Sequence, residues 1–173
     1  EKLTGRFIED IFLVIENCNI INHSFGLKKK NYEKNIDKKF IENMLTDAKE
    51  LFKENNQDQI IMHMIINKYL IDDINYFSFN KNFRGDLICI ELQVKSISTN
   101  FISEINKVLE KYQIKVSDCI DGNYIKNFFK NNQILFSEMI YNIKDGFNEN
   151  EVKLVPKNIN KRRFFEKFFQ LFS

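Results

Sequence analysis

The residues whose types could support chemistry are few: His23, His63, the adjacent carboxylates Asp72-Asp73, and the cysteines Cys18, Cys89 and Cys119. His63 lies inside the apolar run from Ile60 to Ile71, where a lone imidazole is expected to be a hydrogen-bonded structural group rather than a ligand. His23 stands near a turn with no Cys or carboxylate at metal-ligand spacing. Asp72-Asp73 could share acid/base work, yet two polar residues ending an apolar run read first as a turn. An enzyme built on Asp72, Asp73 and His63 would need the three side chains to converge in a cleft. The cysteines are odd in number and far apart, without the two-residue spacing of zinc or redox motifs, and read as reduced, cytosolic and mostly buried. No catalytic, cofactor-binding or metal-binding residue is assigned, and no cofactor is expected.

The elements that must position these groups come from a chain of 173 residues, 43% hydrophobic and 29% charged, the balance of one folded domain with an appended tail. Five glycines and one proline leave little material for phosphate-cradling loops. Abundant Lys, Asn, Ile and Phe is what an AT-rich coding sequence gives. The chain begins at Glu1 without a charged-then-apolar leader, which reads as a piece of a longer protein rather than an exported precursor. No stretch approaches the about 18 uncharged apolar residues of a membrane span.

Residues 8 to 15 form a short apolar run, followed by a turn and a second run ending at Gly26, which together read as a strand pair. From Asp37, a good N-cap, Phe40, Ile41, Met44, Leu45, Ala48, Leu51 and Phe52 recur at helical spacing to about Glu54. Ile60 to Ile71 is long and β-branched, as in a strand covered on both faces for part of its length. Residues 75 to 86 read as a loop or short hairpin. Their surplus of aromatics (Tyr76, Phe77, Phe79, Phe83) beside Arg84 reads either as packing onto the sheet or as a partner-contact patch. Ile88, Ile90, Leu92 and Val94 alternate with polar residues, the clearest strand. Thr99 or Asn100 caps a second helix with the stripe Phe101, Ile105, Val108, Leu109 and Tyr112. Residues 114 to 120 form a closing strand, Asp121-Gly122 a turn, and Tyr124 to Ile143 one interrupted or two successive helices stopping at Gly146. Residues 148 to 160 read as a polar linker containing Pro156.

The net charge of +2 hides an asymmetry. Residues 152 to 173 carry Lys153, Lys157, Lys161, Arg162, Arg163 and Lys167 against Glu166 alone, while the body is weakly acidic. On a helical wheel Phe164, Phe165, Phe168, Phe169, Leu171 and Phe172 fall within roughly 160° of arc, with Lys161, Arg162, Arg163 and Lys167 around them. Burying such phenylalanines is worth about 1.5–3 kcal/mol each, and attraction to anionic lipid adds about 1 kcal/mol per basic residue. That is the pattern of a helix lying flat in a membrane interface. The acidic body argues against nucleic acid. An alternative is a soluble domain whose Phe-rich tail completes its own core.

Met62-His63-Met64-Ile65 followed by Tyr69-Leu70-Ile71-Asp72 resembles the L-H-x-I-P-x-x-Y/F-x-I-D run in the inserted 1C subdomain of the bacterial cell-division protein FtsA. Asn19-Ile20, Asn22 to Leu27, and Val108 to Val116 resemble flanking segments of that subdomain. Ile66 stands where the family has Pro, and its N-P-x-G loop is degraded at Asn80 to Phe83. No Asp-x-Gly phosphate loop is present, so no nucleotide site carries over. The resemblance implies a 1C-like interaction domain over residues 1–121, a helical segment at 122–147, a linker at 148–160 and a membrane-targeting amphipathic helix at 161–173. The fold class expected is α+β, a small sheet packed by two helices. The implied function is that of a non-catalytic division adaptor, contacting other cell-division proteins or a second copy of itself at the inner face of the cytoplasmic membrane. Direct FtsZ binding is not implied, because in that family the contact lies in the actin-like core. A pilus-assembly adaptor of the PilM type is the alternative of the same architecture.

Overall fold

The computed structural model describes residues 7–16, 19–33, 35–80, 82–130 and 133–153. The fold is α+β. In chain order it runs β1 (Asp10–Ile15), β2 (Ile21–Lys30), α1 (Lys38–Asn55), β3 (Gln59–Ile71), β4 (Ile74–Tyr76), β5 (Leu87–Ser98), α2 (Thr99–Glu110), β6 (Lys115–Asp121), α3 (Gly122–Phe128) and α4 (Phe136–Asp145).

α1 begins where its cap is written: Asp37 accepts the amide of Phe40 at 2.8 Å. Its stripe of Ile41, Met44, Leu45, Ala48 and Phe52 is buried, with Leu51 left outside. The stripe lies on Ile88, Ile90, Leu92 and Val94 of β5 and on Met64, Ile66, Tyr69 and Ile71 of β3, forming the largest core. Each such side chain removed from water stabilises the fold by about 1.5–3 kcal/mol.

These strands belong to a four-stranded antiparallel sheet of order β2-β5-β3-β4. Asp72 and Asp73 take φ values of 45° and 69°, the backbone of the two-residue type I′ turn that suits right-twisted strands. Ile71 therefore faces Ile74 across the β3–β4 hairpin. The Asp72 carboxylate accepts the amides of Asp86 and Leu87 at 2.9–3.1 Å, tying the turn to β5. Gly85 packs so closely there that a Cβ would sit 2.4 Å from Ile71 Cγ2.

The strand pair expected from residues 8–26 does not form. β1 instead pairs in parallel with β6, Asp10 opposite Lys115 through Ile15 opposite Asp121. β1 is a short apolar run whose later residues reach cores on both faces, while Asp10 and Phe12 stay exposed. Leu13 and Ile15 meet a second core with Met62, Ile97, Ile102 and Cys119. Val14 meets a third, where Ile120, Ile125, Phe129, Ile140 and Ile143 join α3 and α4. β2 alternates between half-buried and exposed positions, as an edge strand does, and pairs with β5.

Two further expectations change. α2 buries Ile102, with Phe101 packed beside it, but Val108 (55% exposed) and Tyr112 (71%) of the expected stripe face outward. Only the first turn of this helix reaches a core. Residues 148–153, expected as the start of a linker, are docked instead: Ile66 N–H donates to Asn150 O and Val152 N–H to Met64 O, both at 2.8 Å. α4 does stop at Gly146 (φ 93°), whose amide donates to Ile143 O while that of Phe147 donates to Asn142 O, a Schellman end.

Candidate functional site

The site begins with a bulge. β3 carries an extra residue against β5 between Ile61 and His63, which sends Met62 into the second core while Met64 enters the first. Bulges re-aim side chains in this way, and here three consecutive residues, Met62, His63 and Met64, become buried. His63 is directed at the junction between the two sheets.

A buried imidazole must satisfy both nitrogens. His63 Nε2 accepts the backbone amide of Asp121 at 2.9 Å, so the proton of the neutral ring sits on Nδ1. That proton is donated to Glu151 Oε1 at 2.6 Å. The other carboxylate oxygen of Glu151 accepts the Tyr124 hydroxyl at 2.8 Å, and Asn148 Nδ2 donates to that hydroxyl at 2.7 Å. The rings of His63 and Tyr124 are 4.6 Å apart. Burial, then the neighbouring Glu151 carboxylate, push the Tyr124 phenol well above its ordinary range, so it remains a neutral donor.

Asp121 closes the far side. Its Oδ1 accepts the amides of Asn123 and Tyr124, capping α3, and its Oδ2 pairs with Lys95 Nζ at 2.9 Å. Both partners are nearly out of water, so each charge depends on the other. Gly122 follows because a Cβ would meet Glu16 Cγ at 2.6 Å and Val14 Cγ1 at 3.0 Å. The result is a connected set, Lys95–Asp121–His63–Glu151–Tyr124–Asn148, that locks β3, β5, β6, α3 and the docked 148–153 segment together.

Chemically the set is an organiser. Glu151 accepts from two donors, and the acceptor nitrogen of His63 already holds an amide. His23 belongs to a smaller group: the hydroxyl of Ser96 donates to Gln59 Oε1, which leaves His23 Nε2 to donate to Ser96 Oγ at 3.0 Å. Asp72 and Asp73 lie just past the end of β3, about 30 Å from His63 at strand rise, so the three do not converge. Burial raises the Cys119 thiol to about 11 and also raises that of Cys89. Among the described residues no group of three or more His, Cys, Asp or Glu side chains stands at metal-binding geometry.

The aromatic patch expected at residues 76–84 divides. Phe83 is buried in the main core, with Tyr76 and Phe79 packed against it. Phe77, 70% exposed, and Arg84 remain at the surface. The membrane-binding residues expected from sequence, Lys161, Arg162, Arg163, Phe164, Phe165, Lys167, Phe168, Phe169, Leu171 and Phe172, lie outside the described residues. Among the described residues no helix is long and apolar enough to cross a membrane. Tyr124, Asp121, Lys95 and Glu151 were not singled out as site residues from sequence. The signal available was His63 itself, since a histidine in an apolar strand demands partners.

No family model matches the chain. It is similar to a Plasmodium falciparum (isolate 3D7) protein described as a DOP1 homologue, 32% identical over 122 residues. The match covers 65% of this chain and 3% of that relative, so the chain corresponds to a small part of a far longer protein.

Proposed function

We propose that the chain is a non-catalytic adaptor module whose body holds another protein and whose C-terminal segment, residues 161–173, attaches to an anionic membrane surface. The observation that carries the protein-binding half is the outward face of α2. Val108 on the helix and Tyr112 in the turn just past its end leave their apolar surface in water. Phe7 (78% exposed) and Ile8 (53%) are also exposed, on the segment leading into β1, where the amide of Lys115 donates to Glu9 O. Apolar side chains grouped at a surface in this way mark contact sites. The titratable groups around His63, by contrast, are spent on one another.

The membrane half rests on the basic, phenylalanine-rich pattern of residues 161–173. A cell-division setting rests only on the resemblance at residues 19–27, 62–72 and 108–116; the Plasmodium relative adds nothing to it. Photo-crosslinking in the native cell tests the body directly. A crosslinker placed at Val108 or Tyr112 captures a discrete partner that one placed at Glu54, exposed on α1, does not. Equal capture from all three positions contradicts the reading.

A further inference from the structure

Residues 150–152 occupy the edge of β3 as a strand would. Ile65 faces Glu151 in an antiparallel bridge, bracketed by the Ile66–Asn150 and Met64–Val152 backbone hydrogen bonds. β4 covers β3 only at Tyr69 to Ile71, and Asn150 Nδ2 donates to Phe77 O at 3.0 Å just beyond β4. The edge of β3 is thus completed by two separate pieces of chain, and the second arrives from far along the sequence. Its side chains alternate across the sheet as strand geometry requires. Glu151 turns to His63 and Tyr124, while Val152 turns to the main core beside Met64 and Ile66.

We propose that the β3 edge at Met64 to Ile66 is a strand-addition site, held in cis by residues 150–152, and that it accepts an extended segment of a partner protein carrying an acidic residue followed by an aliphatic one. The inference rests on reading the body as a protein-interaction module, but it concerns a different surface from α2. The chemistry of the occupant is set by what the edge offers. Two backbone hydrogen bonds fix an extended main chain. The Nδ1–H of His63 and the hydroxyl of Tyr124 converge on one carboxylate, and the next position needs an aliphatic side chain to close the main core. The cis segment satisfies all three, so an incoming segment must displace it. Apparent affinity is then reduced by the fraction of time the edge is free.

The test uses the full chain and a fluorescein-labelled peptide spanning residues 147–154. Val152→Pro removes the Met64 hydrogen bond and disfavours docking in cis; Glu151→Ala removes the shared carboxylate. Either variant is expected to bind the peptide at least about tenfold more tightly than the unaltered chain, as the competing cis segment is weakened. Peptides with Gln for Glu151 or Asp for Val152 are expected to lose that gain. Absence of binding by a variant that keeps native circular dichroism overturns the proposal. So does unfolding of both variants, which would make 148–153 an inseparable part of the core. Concentration-dependent dimers in place of peptide binding would assign the edge to a second copy and overturn it as well. Crosslinking from α2 is unaffected by any of these outcomes, so the two readings fail separately.

Discussion

Glu151 Oε1 lies 2.6 Å from His63 Nδ1, across 88 positions of sequence. The contact joins the last described stretch of the chain to the bulged centre of β3, and through the other nitrogen of His63 it reaches the Asp121 amide at the end of β6. One carboxylate therefore holds the junction between the two sheets.

Glu151→Gln keeps the size of the side chain but offers one acceptor oxygen where two are used. Either His63 Nδ1–H or the Tyr124 hydroxyl is left facing an amide NH2. A buried donor without an acceptor costs about 1–3 kcal/mol, and urea denaturation should show a fall of that size. An unchanged midpoint would mean that the network contributes nothing to the junction.

The hairpin at Asp72-Asp73 separates backbone from side-chain effects. Both residues have positive φ, which costs a non-glycine residue about 1–2 kcal/mol, but only Asp72 uses its carboxylate, on the amides of Asp86 and Leu87. Asp73→Gly should raise stability by up to about 1 kcal/mol. Asp72→Gly should lower it, because the loss of two charge-assisted hydrogen bonds exceeds the relief of strain. Equal effects from the two substitutions would show that the carboxylate has no role.

Tyr69 and Tyr124 predict the alkaline limit of the fold. Burial raises both phenols above the ordinary value of 10.0, and the Glu151 carboxylate adds to the shift of Tyr124. The folded state holds these protons where the unfolded chain releases them. Their contribution is therefore fully present below about pH 10 and is lost as pH rises beyond it. The guanidinium midpoint should be lower at pH 11 than at pH 9, and Tyr69→Phe should reduce the difference. A midpoint independent of pH over that interval would contradict the assignment.

The parts of the fold written in local spacing were legible in the sequence. Asp37 as a cap, the α1 stripe, the alternation from Ile88 to Val94 and the stop at Gly146 each depend on residues within a few positions. What was hidden depends on meetings between distant segments. The pairing of β1 with β6 joins segments far apart in sequence, and no local pattern in β1 marks that partner. Val108 on α2 and Tyr112 in the turn after it carry the right period and still face outward, because the helix ends at Glu110 and its later turns are at most half-buried. Val152 lies in a stretch with no apolar period, and its place is set by the distant edge of β3. His63 was readable as a structural group, but Glu151 and Tyr124, its companions, carried no local mark.

The central claim, an adaptor body tied to a lipid surface by residues 161–173, is tested most directly by hydrogen exchange on the full chain. The comparison is between vesicles of phosphatidylserine mixed with phosphatidylcholine and vesicles of phosphatidylcholine alone. The account predicts that the anionic vesicles slow exchange at residues 161–173 while β3 and β5 keep the rates of the free protein, and that Phe164→Asp with Phe168→Asp abolishes the effect. Exchange at 161–173 that is the same with and without anionic vesicles would contradict it.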